Sequence, residues 1–442
     1  MSFALNISMK KLRGQIINLL KNIKLSKPES ERGLRTSFIP GPKGLPILWG
    51  VCITWWRTAA AERAADGLSF LLRDSRKEFE GCDLETIRKV IDDTLQEICL
   101  DPRYFVGKML IAQSAPNLFE CRVAGDVEAF ADIIVGKIVS KLKLESLWWR
   151  VVYAAPRFKG NSFAIPDHGL MVILRSDEDW QKTWDDKFRV DHWSPVTGNF
   201  TEGRADTFTN LSQSTSSYLF VYEGFGTQKG VLLNAQLALR QLFAVLYSVI
   251  WLRRRRRLLR AAAIPYRGYV QFPQRDAPTA GDHSGEIGQL VPFYSNDIEL
   301  EAVETTDVQT WYRALLSTTT TLRSRIEKCA HFVKKALNSG GIDEYINYFI
   351  ALDALYGERG SVEASIVDGI TTLSVDSTWP EKTKWLFDLR NELVHGGSRH
   401  AREWSDYDRY QKHFGSKPEN DVAIMACTAL YHAPLSTTPA IS

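Results

Sequence analysis

Cysteine is scarce in this chain, with six in 442 residues, at positions 52, 82, 99, 121, 329 and 427. No two form a C-x-x-C pair, so a zinc ribbon or a dithiol redox motif has no support. Sparse, scattered thiols fit a reducing compartment; a cytoplasmic location is expected, with each cysteine acting as a small buried hydrophobe. Long hydrophobic runs are also missing. The longest mostly apolar stretch is Leu242–Leu252, short of the roughly 20 residues that a spanning helix needs. A buried helix with a solvated basic end is the expectation there, and membrane contact is not. The basic start of the chain lacks a compact apolar core followed by a cleavage site, so no secretory signal is expected. There is no large excess of one charge either. A net charge of +3 argues for local anionic contacts rather than a wholly cationic binder. Gly224–Gly230 (G-F-G-T-Q-K-G) lacks the G-K-[ST] ending of a phosphate loop. His168 and His192 are not at metal-ligand spacing. No metal and no other cofactor is expected.

What is present is an ordinary folded composition, 44% hydrophobic and 24% charged, at a length that suggests two or three domains. The charge is unevenly placed. Residues 1–43 hold nine Lys or Arg against Glu29 and Glu31. A second basic focus is the run Arg253, Arg254, Arg255, Arg256 and Arg257, a candidate contact for RNA phosphate or a solvated helix end. Residues 1–25 read as a helix, and a Pro/Gly/Ser-rich stretch from Pro28 to Pro46 reads as a linker. Asp83 and Asp126 are placed to cap helices. Short β-branched or aromatic runs at Leu147–Ala154, Ser162–Ile165, Leu170–Leu174 and Tyr218–Tyr222 read as strands, with Trp180, Trp184 and Trp193 between them. A long helical pattern covers Gly230–Ala263, residues 264–300 read as loop, and the rest is helical. The expected fold class is α+β. A basic arm and linker (1–45) leads to a mixed helix/sheet region (46–300), then an all-α bundle (301–442).

The chemistry-bearing segment is Trp385-Leu-Phe-Asp-Leu-Arg390-Asn391-Glu392-Leu-Val-His395-Gly-Gly. Leu386, Leu389 and Leu393 share one helix face, which goes to the core. Asp388, Asn391 and His395 share another. Arg390 and His395, five residues apart, diverge by about 140° at roughly 100° per residue. A straight helix cannot aim both squarely at one atom, although Arg is long enough to wrap toward the stripe. Gly396–Gly397 lets the backbone bend away at the helix end, where the macrodipole favours a charged His. A proton-trading His with an Arg that steadies an anionic transition state suffices for metal-free RNA cleavage by the 2′-hydroxyl. The other reading of the same residues is a polar surface with a helix-capping aid.

The segment resembles the R-x4-6-H signature of the HEPN superfamily, whose catalytic members are metal-independent ribonucleases. It is similar above all to Apea-like HEPN domains, in which a helix like Tyr345–Gly357 (Y-I-N-Y-F-I-A-L-D-A-L-Y-G) precedes one ending R-N-x-L-V-H-G. Both blocks are present in that order, and the resemblance covers about residues 305–435. It implies that Arg390 and His395 are catalytic and that Asn391 supports their geometry. Asp353, where such domains carry an acid, would hold Arg390 or else be a solvated surface acid. It further implies an RNA substrate and a homodimer whose signature helices face each other, easing the 140° divergence. The setting it implies is toxin or abortive-infection activity in bacterial anti-phage defence. The N-terminal region would then answer to an activating phage protein or a small ligand. The alternatives are a non-catalytic HEPN dimerisation or RNA-binding module, and a membrane-surface protein using Phe3–Lys24 and the arginine run.

Overall fold

The computed structural model describes residues 2–28, 33–38, 53–154, 158–174, 218–254, 268–273, 282–285, 298–373 and 375–436. Among these the chain is α+β, with thirteen α-helices and eleven short strands. Its contacts divide it into two compact units. The first is Met1–Trp149 with Gly224–Asn234 and Pro273–Arg275, and the second is Arg150–Glu223 with Ala235–Phe272 and Asp276–Ser442. The boundary expected near residue 300 therefore lies inside the second unit, where Arg253 and Arg254 pair with Asp307 and Glu304.

In the first unit, α1 (Ser2–Asn22) packs with α2 (Ala59–Ser75) and α5 (Val127–Glu145), and α3 (Leu84–Cys99) with α2 and α5; α4 (Gly107–Ile111) is a single short turn. Leu12, Ile16, Leu19 and Leu20 of α1 are completely buried, the stripe of a core helix rather than a free arm. Arg13 forks onto Asp132 at 2.7 Å and reaches Glu128 at 2.6 Å, so part of the basic block is neutralised within the fold. Strands β1 (Ile23–Lys24), β2 (Leu34–Phe38) and β3 (Ile53–Arg57) form an antiparallel sheet in the order β1-β3-β2. The expected caps form: Asp83 accepts from Thr86 N at 2.8 Å and Asp126 from Glu128 N at 2.9 Å. Thr227 Oγ1 donates to Asp83 Oδ2 at 2.7 Å and accepts from Gly230 N at 3.2 Å, which links two helix starts. Burial works to raise the Asp83 carboxyl, but the bonds from Thr227 and Thr86 outweigh it and hold the group below its ordinary value.

A six-stranded sheet runs β10-β9-β4-β8-β7-β6. Its strands are β4 (Leu147–Ala154), β6 (Phe163–Ile165), β7 (Leu170–Leu174), β8 (Tyr218–Gly226), β9 (Gly268–Pro273) and β10 (Asp282–Gly285); β5 (Phe158–Lys159) pairs separately, in parallel, with β11 (Ile298–Glu299). The four expected strands are present, and β8 runs longer than its apolar stretch. The stretch read as loop, 264–300, contains β9, β10 and β11. Asp282-His-Ser-Gly carries no strand-favouring side chain, so backbone pairing to β9, and not propensity, makes it a strand. Trp180, Trp184 and Trp193 lie outside the described residues.

Helix α6 (Gln228–Arg254) is buried without interruption from Leu242 to Trp251. Among the described helices it is the one long and apolar enough to cross a membrane, and 67% of its most apolar window is buried inside the protein. The C-terminal helices are α7 (Ala302–Leu316), α8 (Thr320–Leu337), α9 (Ile342–Tyr356), α10 (Val362–Thr372), α11 (Trp379–His395), α12 (Tyr407–Phe414) and α13 (Pro418–Leu435). Thr319 caps α8, accepting from Leu322 N at 3.3 Å, and so divides a helical pattern that reads as continuous through Trp311, Leu315, Leu322 and Ile326. The buried Trp311 indole donates to Leu430 O at 3.0 Å and ties α7 to α13.

Candidate active site

Helix α11 spans the expected residues, from Trp379 to His395, with Leu386, Leu389 and Leu393 buried. That anchors one face and leaves the polar stripe outward. The two sequence blocks, far apart in the chain, touch in space. The Tyr345 hydroxyl on α9, fully buried, donates to Leu386 O at 2.6 Å. Phe349 meets Phe387 edge-on, with centroids 5.5 Å apart. The Leu386 carbonyl lies one turn before Arg390, so α9 holds the turn on which the Arg stands.

Arg390 is half-buried, its guanidinium 5.9 Å from the centre of the Phe387 ring. Arg390 Nη1 donates to Asn391 Oδ1 at 3.0 Å. His395 is exposed at the last residue of the helix. Gly396 turns left-handed there (φ 80°), and the amides of Gly396 and Gly397 both donate to Glu392 O. Of the two readings of Asp353, holder of Arg390 or solvated surface acid, no bond to Arg390 accompanies the first. A Cβ on Gly357 would come within 1.9 Å of Asp353 Oδ1, which places the carboxylate over Gly357 at the end of α9. A cleft of about 810 Å³ beside α11 is lined by Gly360, Ser361, Glu363 and Asp368 and by Lys384 and Phe387.

The basic run is only partly in view. Arg253 pairs with Asp307 at 2.5 Å, and Arg254 forks onto the buried Glu304 with both bonds at 2.6 Å. Both are therefore engaged in packing; Arg255, Arg256 and Arg257 lie outside the described residues.

Further polar and aromatic contacts surround α11. Lys382 and Asp421, both buried, pair at 3.3 Å, and the Tyr410 hydroxyl donates to Asp421 Oδ2 at 2.7 Å. Burial, then the Asp421 charge, pushes the Tyr410 hydroxyl far up. Around Trp385 gather Trp404, Tyr410, His413 and Phe414, with ring centres 5.9–6.2 Å away. His413 Nε2 lies 3.2 Å from Glu381 Oε1, and the Arg409 guanidinium sits 5.0 Å from the Trp385 ring centre. The available signal was the spacing Tyr407, Tyr410, Phe414, one face of a short helix. Elsewhere in the second unit His168, His331 and His432 are held below the ordinary histidine range, chiefly by burial. Among the described residues no group of three or more His, Cys, Asp or Glu is placed to hold a metal ion. No family model, curated protein or solved structure matches the chain.

Proposed function

We propose that the protein is a metal-independent HEPN-type endoribonuclease with Arg390 and His395 as catalytic residues. The observation that carries this reading is the arrangement at the end of α11. An exposed His stands at the helix C-terminus, and an Arg on the preceding turns donates to Asn391 at 3.0 Å. The direct contact of α9 with that turn, through Tyr345 and Leu386, supports it as well, because the two blocks of the resemblance then belong to one structure.

In this reading the RNA 2′-hydroxyl attacks the adjacent phosphorus and its proton passes to a base. The 5′-oxygen leaves with a proton from an acid, giving a 2′,3′-cyclic phosphate and a 5′-hydroxyl end. His395 performs proton transfer, and Arg390 balances the charge that grows on the phosphoryl oxygens. A homodimer that faces two α11 ends supplies Arg and His from opposite sides and answers their divergence on one helix. The protein works in the cytoplasm as a toxin or abortive-infection effector of anti-phage defence, and the first unit restrains it until a phage protein or small ligand acts.

The test is cleavage of RNA by purified protein in the presence of a chelator. Wild type cleaves, while Arg390→Ala and His395→Ala each lose at least about 100-fold, the scale of a removed acid–base group. Undiminished cleavage by both variants overturns the assignment.

A further inference from the structure

We propose that Arg409 and His413, backed by Trp385, form a stacking platform for an unpaired RNA base, so that the substrate is single-stranded beside the cleaved phosphate. The inference rests on the ribonuclease reading and names its substrate class.

Arg409 and His413 are one turn apart on α12 and share a face. Both lie against Trp385: the guanidinium is 5.0 Å from its ring centre, and the imidazole is parallel to it within 8° at 6.1 Å. Each has an acid beside it. Arg409 Nη1 is 3.5 Å from Asp406, and His413 Nε2 is 3.2 Å from Glu381. Such exposed pairs contribute little stability. The side chains are nevertheless 74% and 53% exposed, so a planar guanidinium and a planar imidazole are both open to solvent. Flat guanidinium and imidazole faces are what splayed-out RNA bases stack on; duplex RNA keeps its bases inside.

The position suits the site. Trp385 and His395 are ten residues apart on α11, about 15 Å along its axis and about 80° around it. By its packing on Trp385, α12 stands against the same helix that ends in His395. Lys412, on α12 and exposed, is placed to add a phosphate contact. The platform is also held rigidly. Tyr410, between Arg409 and His413, is anchored through its bond to Asp421, which the buried Lys382 of α11 also engages.

The test uses the full-length His395→Ala protein, which leaves RNA intact, and measures binding of a short fluorescent single-stranded RNA and of its blunt duplex. Adding Arg409→Ala with His413→Ala is expected to weaken single-strand binding about 5- to 150-fold, the range for loss of a base stack, with far less effect on duplex. Arg409→Lys, which keeps the charge and the fold but loses the plane, is expected to retain most of the defect. Full rescue by Arg409→Lys, an equal loss on duplex, or unchanged single-strand affinity each overturns the platform. Charge-dependent capture of an acidic peptide that Arg409→Lys preserves does so too. Cleavage that requires His395 while binding ignores Arg409 and His413 removes the platform and keeps the ribonuclease. Binding that needs both residues in a protein that cleaves nothing keeps the platform alone.

Discussion

His395 and Arg390 stand five residues apart on one helix, and what differs between them is support. Arg390 has a neighbour to lean on, Asn391, whereas the Asp353 carboxylate lies over Gly357 at the end of α9. Asn391→Ala is therefore expected to lower RNA cleavage about 10-fold, roughly the worth of one charge-assisted hydrogen bond. Asp353→Asn should leave it within about 3-fold, read in the same chelator-containing assay. An Asp353 effect as large as that of Asn391 would restore the acid to the site. The order Arg-Asn-x-x-x-His was legible in the chain because one helix carries it. The placement of Asp353 was not, because spacing does not record which way a side chain turns at the end of its helix. Trp385 stands five residues before Arg390 in the same segment, but its partners lie up to 29 residues further on, beyond any local pattern.

At the scale of elements, spacing located what local rules govern. The caps at Asp83 and Asp126, the span of α11 and the edges of β4 and β7 all follow from side-chain chemistry within a few residues. It failed where pairing is remote: β10 is a strand only because β9 lies beside it. The arginine run shows the same limit. Read along the chain it is a solvated cluster, yet Arg254 closes on Glu304, a carboxylate whose side chain is 2% exposed. Glu304 also accepts from Glu301 N at 3.0 Å and caps α7. Removing the guanidinium leaves a buried charge unpaired, so Arg254→Ala is expected to cost about 3 kcal/mol in urea unfolding. Arg254→Met with Glu304→Leu should recover most of that loss. A single-variant cost under about 0.5 kcal/mol would mean that water reaches Glu304.

For the molecule as a whole, the histidines decide the response to mild acid. His168, His331 and His432 have folded-state affinities for protons below those of the unfolded chain, burial being the chief cause. Their contribution to stability is full above the unfolded value, near pH 6.5, and is lost as pH falls below it. In the same second unit the carboxylates of Asp376 and Glu403 are held low and stay charged in that range, and of the shifted acids among its described residues only Glu327, raised by burial, works the other way. Urea midpoints for the second unit should thus drop between about pH 7.5 and pH 5.5. A flat profile would show that these rings already take up protons in the folded protein. None of this could be read from eight scattered histidines, because burial is a property of the assembled chain.

The adjacent glycines that end α11 are there for different reasons. An added Cβ at Gly397 would meet Glu392 Oε2 at 2.0 Å, whereas at Gly396, with φ at 80°, it would touch nothing within 4 Å. The obstacle at 396 is purely stereochemical, a matter of hand and not of room. L-alanine would carry the full cost of the left-handed backbone, about 1–2 kcal/mol, while its mirror image, D-alanine, would find that same backbone its natural one. The turn that sets His395 at the tip of its helix is thus a place where chirality alone, independent of size, decides which residue fits.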